Sequence, residues 1–188
     1  MGQMDLRCLG IVAATLRVAG GGLRRVATLA VIAGSLTAGD AGAQQVQVQV
    51  SEDPTGAARI TTRTGSKTVR KEPGQVGIED PDVAWDRRTA GWLVMYEMPG
   101  VVSYPIAGML VVWRGGAVIR RFRTEQTFWS WAFVANGKQV AYHTGPLHGE
   151  RASHCELRNV SDGRLVAQWS GDLDDAAKRP AWTAELYH

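Results

Sequence analysis

Val83-Ala-Trp-Asp-Arg-Arg-Thr-Ala-Gly-Trp-Leu-Val94 and Trp131-Ala-Phe-Val-Ala-Asn-Gly-Lys-Gln-Val-Ala-Tyr142 follow one plan: a short apolar strand, a polar turn, a second apolar strand. They lie 48 residues apart. The hairpins that follow also match, with Gly116-Ala-Val-Ile-Arg-Arg-Phe122 falling on Gly163-Arg-Leu-Val-Ala-Gln-Trp169 at a shift of 47. Self-similarity at this period marks a repeated supersecondary unit. Each copy reads as four strands.

Working outward, strands are predicted at 83–85, 91–96, 109–113, 118–122, 129–134, 139–143, 155–160 and 164–169. Between them stand Asp86-Arg-Arg88, Arg114-Gly-Gly116, Asn136-Gly137 and Ser161-Asp-Gly163. Asn-Gly and Asp-Gly tolerate the positive φ of tight hairpins, so the sheet is expected to be antiparallel. Upstream, Val46-Gln-Val-Gln-Val50 alternates as a half-buried strand does. Residues 58–62 and 67–71 carry many charges and read as edge strands joined at Gly65-Ser66. Downstream, Pro180-Ala-Trp-Thr-Ala-Glu-Leu186 predicts a short C-terminal helix that docks through Trp182 and Leu186. All seven Trp lie beyond residue 84, which suits aromatic-rich strands.

The stretch Phe133–Tyr142, with "Gly-Lys-x-hydrophobic-Ala", followed by Glu156-Leu-Arg-Asn-Val-Ser-Asp-Gly-Arg-Leu165, resembles a WD40-like blade of the TolB type. The chain is also similar to small exported bacterial proteins of unknown function that carry such a segment. The resemblance covers about residues 76–170 and implies blade-like β-structure with no particular chemistry. Closed propellers have at least about four blades, and two repeats fall short of that. The fold class expected is therefore all-β and antiparallel: two four-strand units plus N-terminal strands, open or sandwich-like, with a short C-terminal helix. The alternative is association with other copies, and a chain of this size favours one compact monomeric domain.

The first 43 residues read as a cleaved export signal. Arg7, Arg17, Arg24 and Arg25 precede the uncharged run 26–38, and Ala41 and Ala43 are the small residues a signal peptidase requires. The run is 13 residues, against about 20 for a spanning helix, so no permanent membrane span is expected. Periplasmic or secreted localisation follows, with residues 44–188 as a single β-domain: N-terminal strands over 44–75, repeats over 76–170, a tail over 171–188. The signal takes four of the 21 basic and two of the 18 acidic residues, leaving a net charge of +1. That supplies no electrostatic case for nucleic acid. Cys155 is the one cysteine after the signal, which excludes an intramolecular disulfide and predicts a buried small hydrophobe.

Four groups of residues are candidates for chemistry. His143, His148 and His154 fall close together beside Glu150 and Cys155, and imidazole and thiolate suit zinc or copper. The spacing matches no metal signature, and strand-end hydrogen bonding is the plainer expectation. Glu79, Asp80, Asp82 and Asp86 cluster around Pro81, where a solvated loop is expected. Arg114, Arg120, Arg121 and Arg123 surround Trp113 and Phe122 and offer a basic, aromatic face. The apolar connection 97–108, with Tyr104 and Val101, is either a docking loop or a flap closing the core. No serine sits in Gly-x-Ser-x-Gly, and Gly-x-Gly-x-x-Gly and phosphate loops are missing, so no cofactor is expected. The leading expectation is an exported, non-catalytic domain that binds a protein, peptide or glycan of the cell envelope, with Tyr104, Trp113 and Arg121 as candidate contacts. Two alternatives stand beside it: a metal-dependent enzyme on His143, His148 and His154, and a self-assembling homo-oligomer joined at exposed strand edges.

Overall fold

The computed structural model describes residues 48–148, 152–172 and 178–186, so the expected signal sequence lies outside it. Among these residues eleven antiparallel strands form three open sheets. The first contains β1 (Gln49–Glu52), β2 (Ala58–Thr62) and β3 (Gly65–Thr68). The second is a meander of β4 (Gln75–Val83), β5 (Thr89–Tyr96), β6 (Ile106–Arg114) and β7 (Ala117–Arg123). The third repeats it with β8 (Thr127–Val134), β9 (Gln139–Gly145), β10 (Ala152–Asn159) and β11 (Leu165–Asp172). A 3₁₀ helix, Ala181–Leu186, follows. No helix among the described residues is long and apolar enough to cross a membrane.

The sheets are layers of one compact unit, and strand alternation decides which layer each side chain meets. Ala90, Trp92 and Val94 of β5 and Met109, Val111 and Trp113 of β6 pack against Val48, Ala58 and Ile60 of the first sheet. Leu93, Leu110 and Val112 point the other way, onto Phe128, Trp131, Val140 and Tyr142 of the third sheet. The middle sheet is thus covered on both faces. This is why β5 and β6 read as nearly unbroken apolar runs, while two-layer strands alternate. The outer face of the third sheet, with Ala141, Cys155 and Leu157, is covered by Leu186 of the 3₁₀ helix. Two repeats therefore need no ring, because the small sheet caps one end of the stack and the helix caps the other.

Four local expectations are corrected or refined. β2 is not an edge: it pairs with both β1 and β3, and Ala58 and Ile60 are buried because the other side of this charged segment faces solvent. The hairpin turns at Arg63-Thr64 rather than Gly65-Ser66. The acidic group around Pro81 is not a loop before a strand but part of β4, where the register slips between Glu79 and Asp82 and Asp80 takes φ 45°. Such a bulge absorbs the proline, which cannot donate to a ladder. The C-terminal helix forms where expected but as 3₁₀, so residues three apart share a face. Thr183 and Leu186 are buried accordingly, with Trp182 half-buried beside them.

Turn chemistry fits the hairpins. Gly115 and Gly116, at φ 63° and 95°, supply the two positive angles of the β6–β7 turn. In the β4–β5 turn the Asp86 carboxylate accepts from the backbone N–H of Arg88 (2.9 Å) and Thr89 (2.8 Å) and from the Thr89 hydroxyl (2.6 Å). Burial raises its pKa, but these donors and Arg114 outweigh that and hold it below the usual carboxylate value. Arg114 also donates to the Gly137 carbonyl at 2.7 Å, tying the hairpin of one repeat to that of the next.

Candidate functional site

The register of β9 and β10 separates the histidines. His143 pairs with Cys155 and His154 with Thr144, so His143 and His154 project from opposite faces of the third sheet. His143 is buried on the face under the 3₁₀ helix, in a cross-strand row with Ser130 and Cys155. Burial lowers its pKa to about 4, so it is neutral at pH 7. Cys155 is fully buried, which fits the expected small hydrophobe. His148 is exposed in the segment after β9. Among the described residues no three His, Cys, Asp or Glu side chains are grouped to hold a metal.

His154 belongs to a polar chain across β9, β10 and β11. Its Nδ1 lies 2.9 Å from the Ser170 hydroxyl and its Nε2 3.1 Å from Glu156. Glu156 also accepts from Tyr142 and Arg158, and Arg158 donates to the Gly163 carbonyl at 3.0 Å. Burial alone raises the Glu156 pKa, but its three donors reverse that and keep it ionised. Burial, then the bond to Glu156, pushes the Tyr142 hydroxyl far above its usual range. Hydroxyl, imidazole and carboxylate occur here in the order of a nucleophile relay. However, Glu156 is committed to Tyr142 and Arg158, and Ser170 sits on an exposed strand outside the clefts described below. The chain is a cross-strand brace.

The three candidate binding residues occupy three places. Tyr104 is exposed in the connection before β6, beside a cleft of about 230 Å³ formed by that connection itself. Arg121 lies on β7, where it donates to Glu72 at 2.6 Å, and Arg123 approaches the same carboxylate at 3.6 Å. That pair pins the segment leaving the first sheet to the edge of the second. Trp113 stands at the far end of β6 from Tyr104, roughly 20–25 Å away at the rise of an extended strand.

Trp113 does line a cleft. Residues of the β2–β3 and β6–β7 hairpins line a cleft of about 680 Å³. Its apolar wall is Val48, Ile60 and Trp113. The rim carries Lys67, Arg88 and Arg114. Arg114 is held by Asp86 (3.6 Å) and Thr89 (2.6 Å). Lys67 and Arg88 are exposed, and Lys67 donates to the Gly116 carbonyl at 3.4 Å. The volume falls in the range of small-molecule and peptide-side-chain pockets, and an apolar wall with a few oriented polar groups is their usual lining. Composition pointed to Trp113 through its arginine neighbours. Ile60 and Lys67 were missed because the first sheet's packing on the second leaves no mark in local sequence.

A second cleft, about 560 Å³, opens between β4 and β8. Trp131 and Phe133 form its wall and Asp80, Asp82 and Glu185 its rim, with Trp85 83% exposed beside it. The Trp131 indole donates to the Asp80 carbonyl at 3.1 Å and fixes the bulge against the third sheet. No protein-family model matches the chain, and no curated protein is significantly similar to it.

Proposed function

We propose that this chain is an exported, non-catalytic β-domain that binds a peptide segment of an envelope protein in the Trp113 cleft. The observation that carries the reading is the pairing of an apolar wall (Val48, Ile60, Trp113) with the exposed cations Lys67 and Arg88 at one rim. An apolar side chain next to a carboxylate matches both parts. The desolvated wall supplies affinity, and the cations fix orientation. The blade resemblance supports the same reading, since blades usually serve as interaction platforms, and so does the export signal expected over residues 1–43, which ends in Ala41 and Ala43.

Fluorescence anisotropy with labelled hexapeptides ending in Leu or Phe tests it. Free-carboxylate peptides should bind, and amidated ones should bind at least about tenfold more weakly, as loss of a charge pair at a partly desolvated rim implies. Lys67→Ala and Arg88→Ala should each weaken the free acid and leave the amide unchanged. Equal binding of acid and amide, or no binding of either, would sink the proposal.

A further inference from the structure

We propose that the cleft between β4 and β8 binds the arginine side chain of a basic peptide. This second site stands apart from the Trp113 cleft and does not rest on it.

The cleft has an aromatic wall. Trp131 and Phe133 line it in edge-on contact, with ring centroids 5.0 Å apart. The Trp131 indole donates to the Asp80 carbonyl at 3.1 Å, so the wall and the β4 bulge are fixed to each other. Trp85, in the turn after β4, lines the same cleft and is 83% exposed. Folding gains little from a tryptophan left in water. An exposed ring beside an apolar cleft is surface that a ligand can cover. The space, about 560 Å³, accepts a side chain between the fixed wall and the exposed ring.

Charge selects the occupant. Asp80, Asp82 and Glu185 line this cleft, and among the described residues no Lys or Arg does. Asp80 and Asp82 form no ion pair with any described residue. The middle sheet also sorts its charges by edge. β4 carries Glu79, Asp80 and Asp82 and no base, whereas β7, at the opposite edge, carries Arg120, Arg121 and Arg123 and no acid. A cation approaching the sheet is therefore drawn to the β4 side. Arginine satisfies both features of the site. Its guanidinium is planar and weakly hydrated, so it stacks on an indole, while its fork of N–H groups meets carboxylates. A neutral sugar could use the rings but would leave the carboxylates uncompensated.

Indole N–H chemical shifts of the isotopically labelled chain read the binding ring by ring. The probe is a hexapeptide alternating glycine and arginine, acetylated and amidated. Its blocked ends offer no carboxylate to the Trp113 cleft, so the two sites fail separately. The peptide should shift the Trp85 and Trp131 signals, and its citrulline counterpart, neutral and of the same shape, should bind at least about tenfold more weakly. Trp85→Ala should weaken the arginine peptide by about two- to fivefold. The double variant D80N/D82N should weaken it by at least about tenfold and flatten its salt dependence. Asparagine tolerates the positive φ of 45° at position 80, and thermal unfolding checks that the variant folds. Trp85→Ala, at an exposed position, carries the test if it does not. Equal binding of the arginine and citrulline peptides overturns the proposal, as does binding that both variants leave unchanged, a shift at Trp113 instead, or no shift. Shifts at Trp85 and Trp131 with maltohexaose but not with the arginine peptide would assign the cleft to a glycan and overturn it too.

Discussion

His143 shows what a single buried side chain does to this molecule. Its folded pKa of about 4 lies below the 6.5 of an unfolded histidine. Between these values the unfolded chain binds a proton that the folded chain refuses, so stability falls as pH drops from about 6.5 to about 4. Above 6.5 this residue adds no pH dependence. The loss should be on the order of 2 kcal/mol once partial solvent screening is allowed for. Urea denaturation at a series of pH values measures it, and His143→Gln should flatten that limb of the profile. An unchanged profile in the variant would mean another group carries the acid sensitivity. The position was marked in the sequence as a metal candidate, because three histidines and a cysteine lay close together. The structure gives His143 and His154 opposite faces, and that separation depends on the β9–β10 register, which local sequence does not encode.

At the scale of elements, one close approach between the repeats is at Gly91. A Cβ on Gly91 of β5 would lie 2.6 Å from the Trp131 ring of β8 and 3.2 Å from Phe133. The indole is fixed by its bond to the Asp80 carbonyl and by its edge-on contact with Phe133, so it cannot move aside cheaply. Gly91→Ala should therefore destabilise the fold by about 1–3 kcal/mol through overpacking. At the other end, Leu186→Ala should cost about 2–4 kcal/mol by opening a cavity under the 3₁₀ helix. Thermal or urea unfolding checks both, and a neutral Leu186→Ala would show that the helix is not a cap. Seven of the eight strands expected over 83–169 and their turns were legible because turn residues and apolar runs are local signals, whereas the one expected at 83–85 meets β4 only at Val83, with Trp85 already in the turn. What escaped was the length of β4: a Pro within four acids reads as a loop, and only pairing with β5 across a bulge makes it strand. The first sheet escaped likewise. Charge made β2 look peripheral, although alternate positions, Ala58 and Ile60, carry the core.

For the whole molecule, four layers replace the ring that a propeller needs. The middle sheet is buried on both faces, the third is buried by the second and by the helix, and the first shields the second from water. The repeat and the all-β class were plain from periodicity, whereas the order of layers follows from which face each alternating residue meets. The cleft arises at this scale, beside the end of β6, where the largely buried Trp113, Val48 and Ile60 line it. The most direct test is amide chemical-shift mapping of the isotopically labelled chain titrated with a Leu-terminated hexapeptide acid. Shifts confined to the β2–β3 and β6–β7 hairpins and to Arg88 are the expected result. Shifts centred instead on the 97–105 connection, on the β4–β8 cleft, or nowhere would contradict the account.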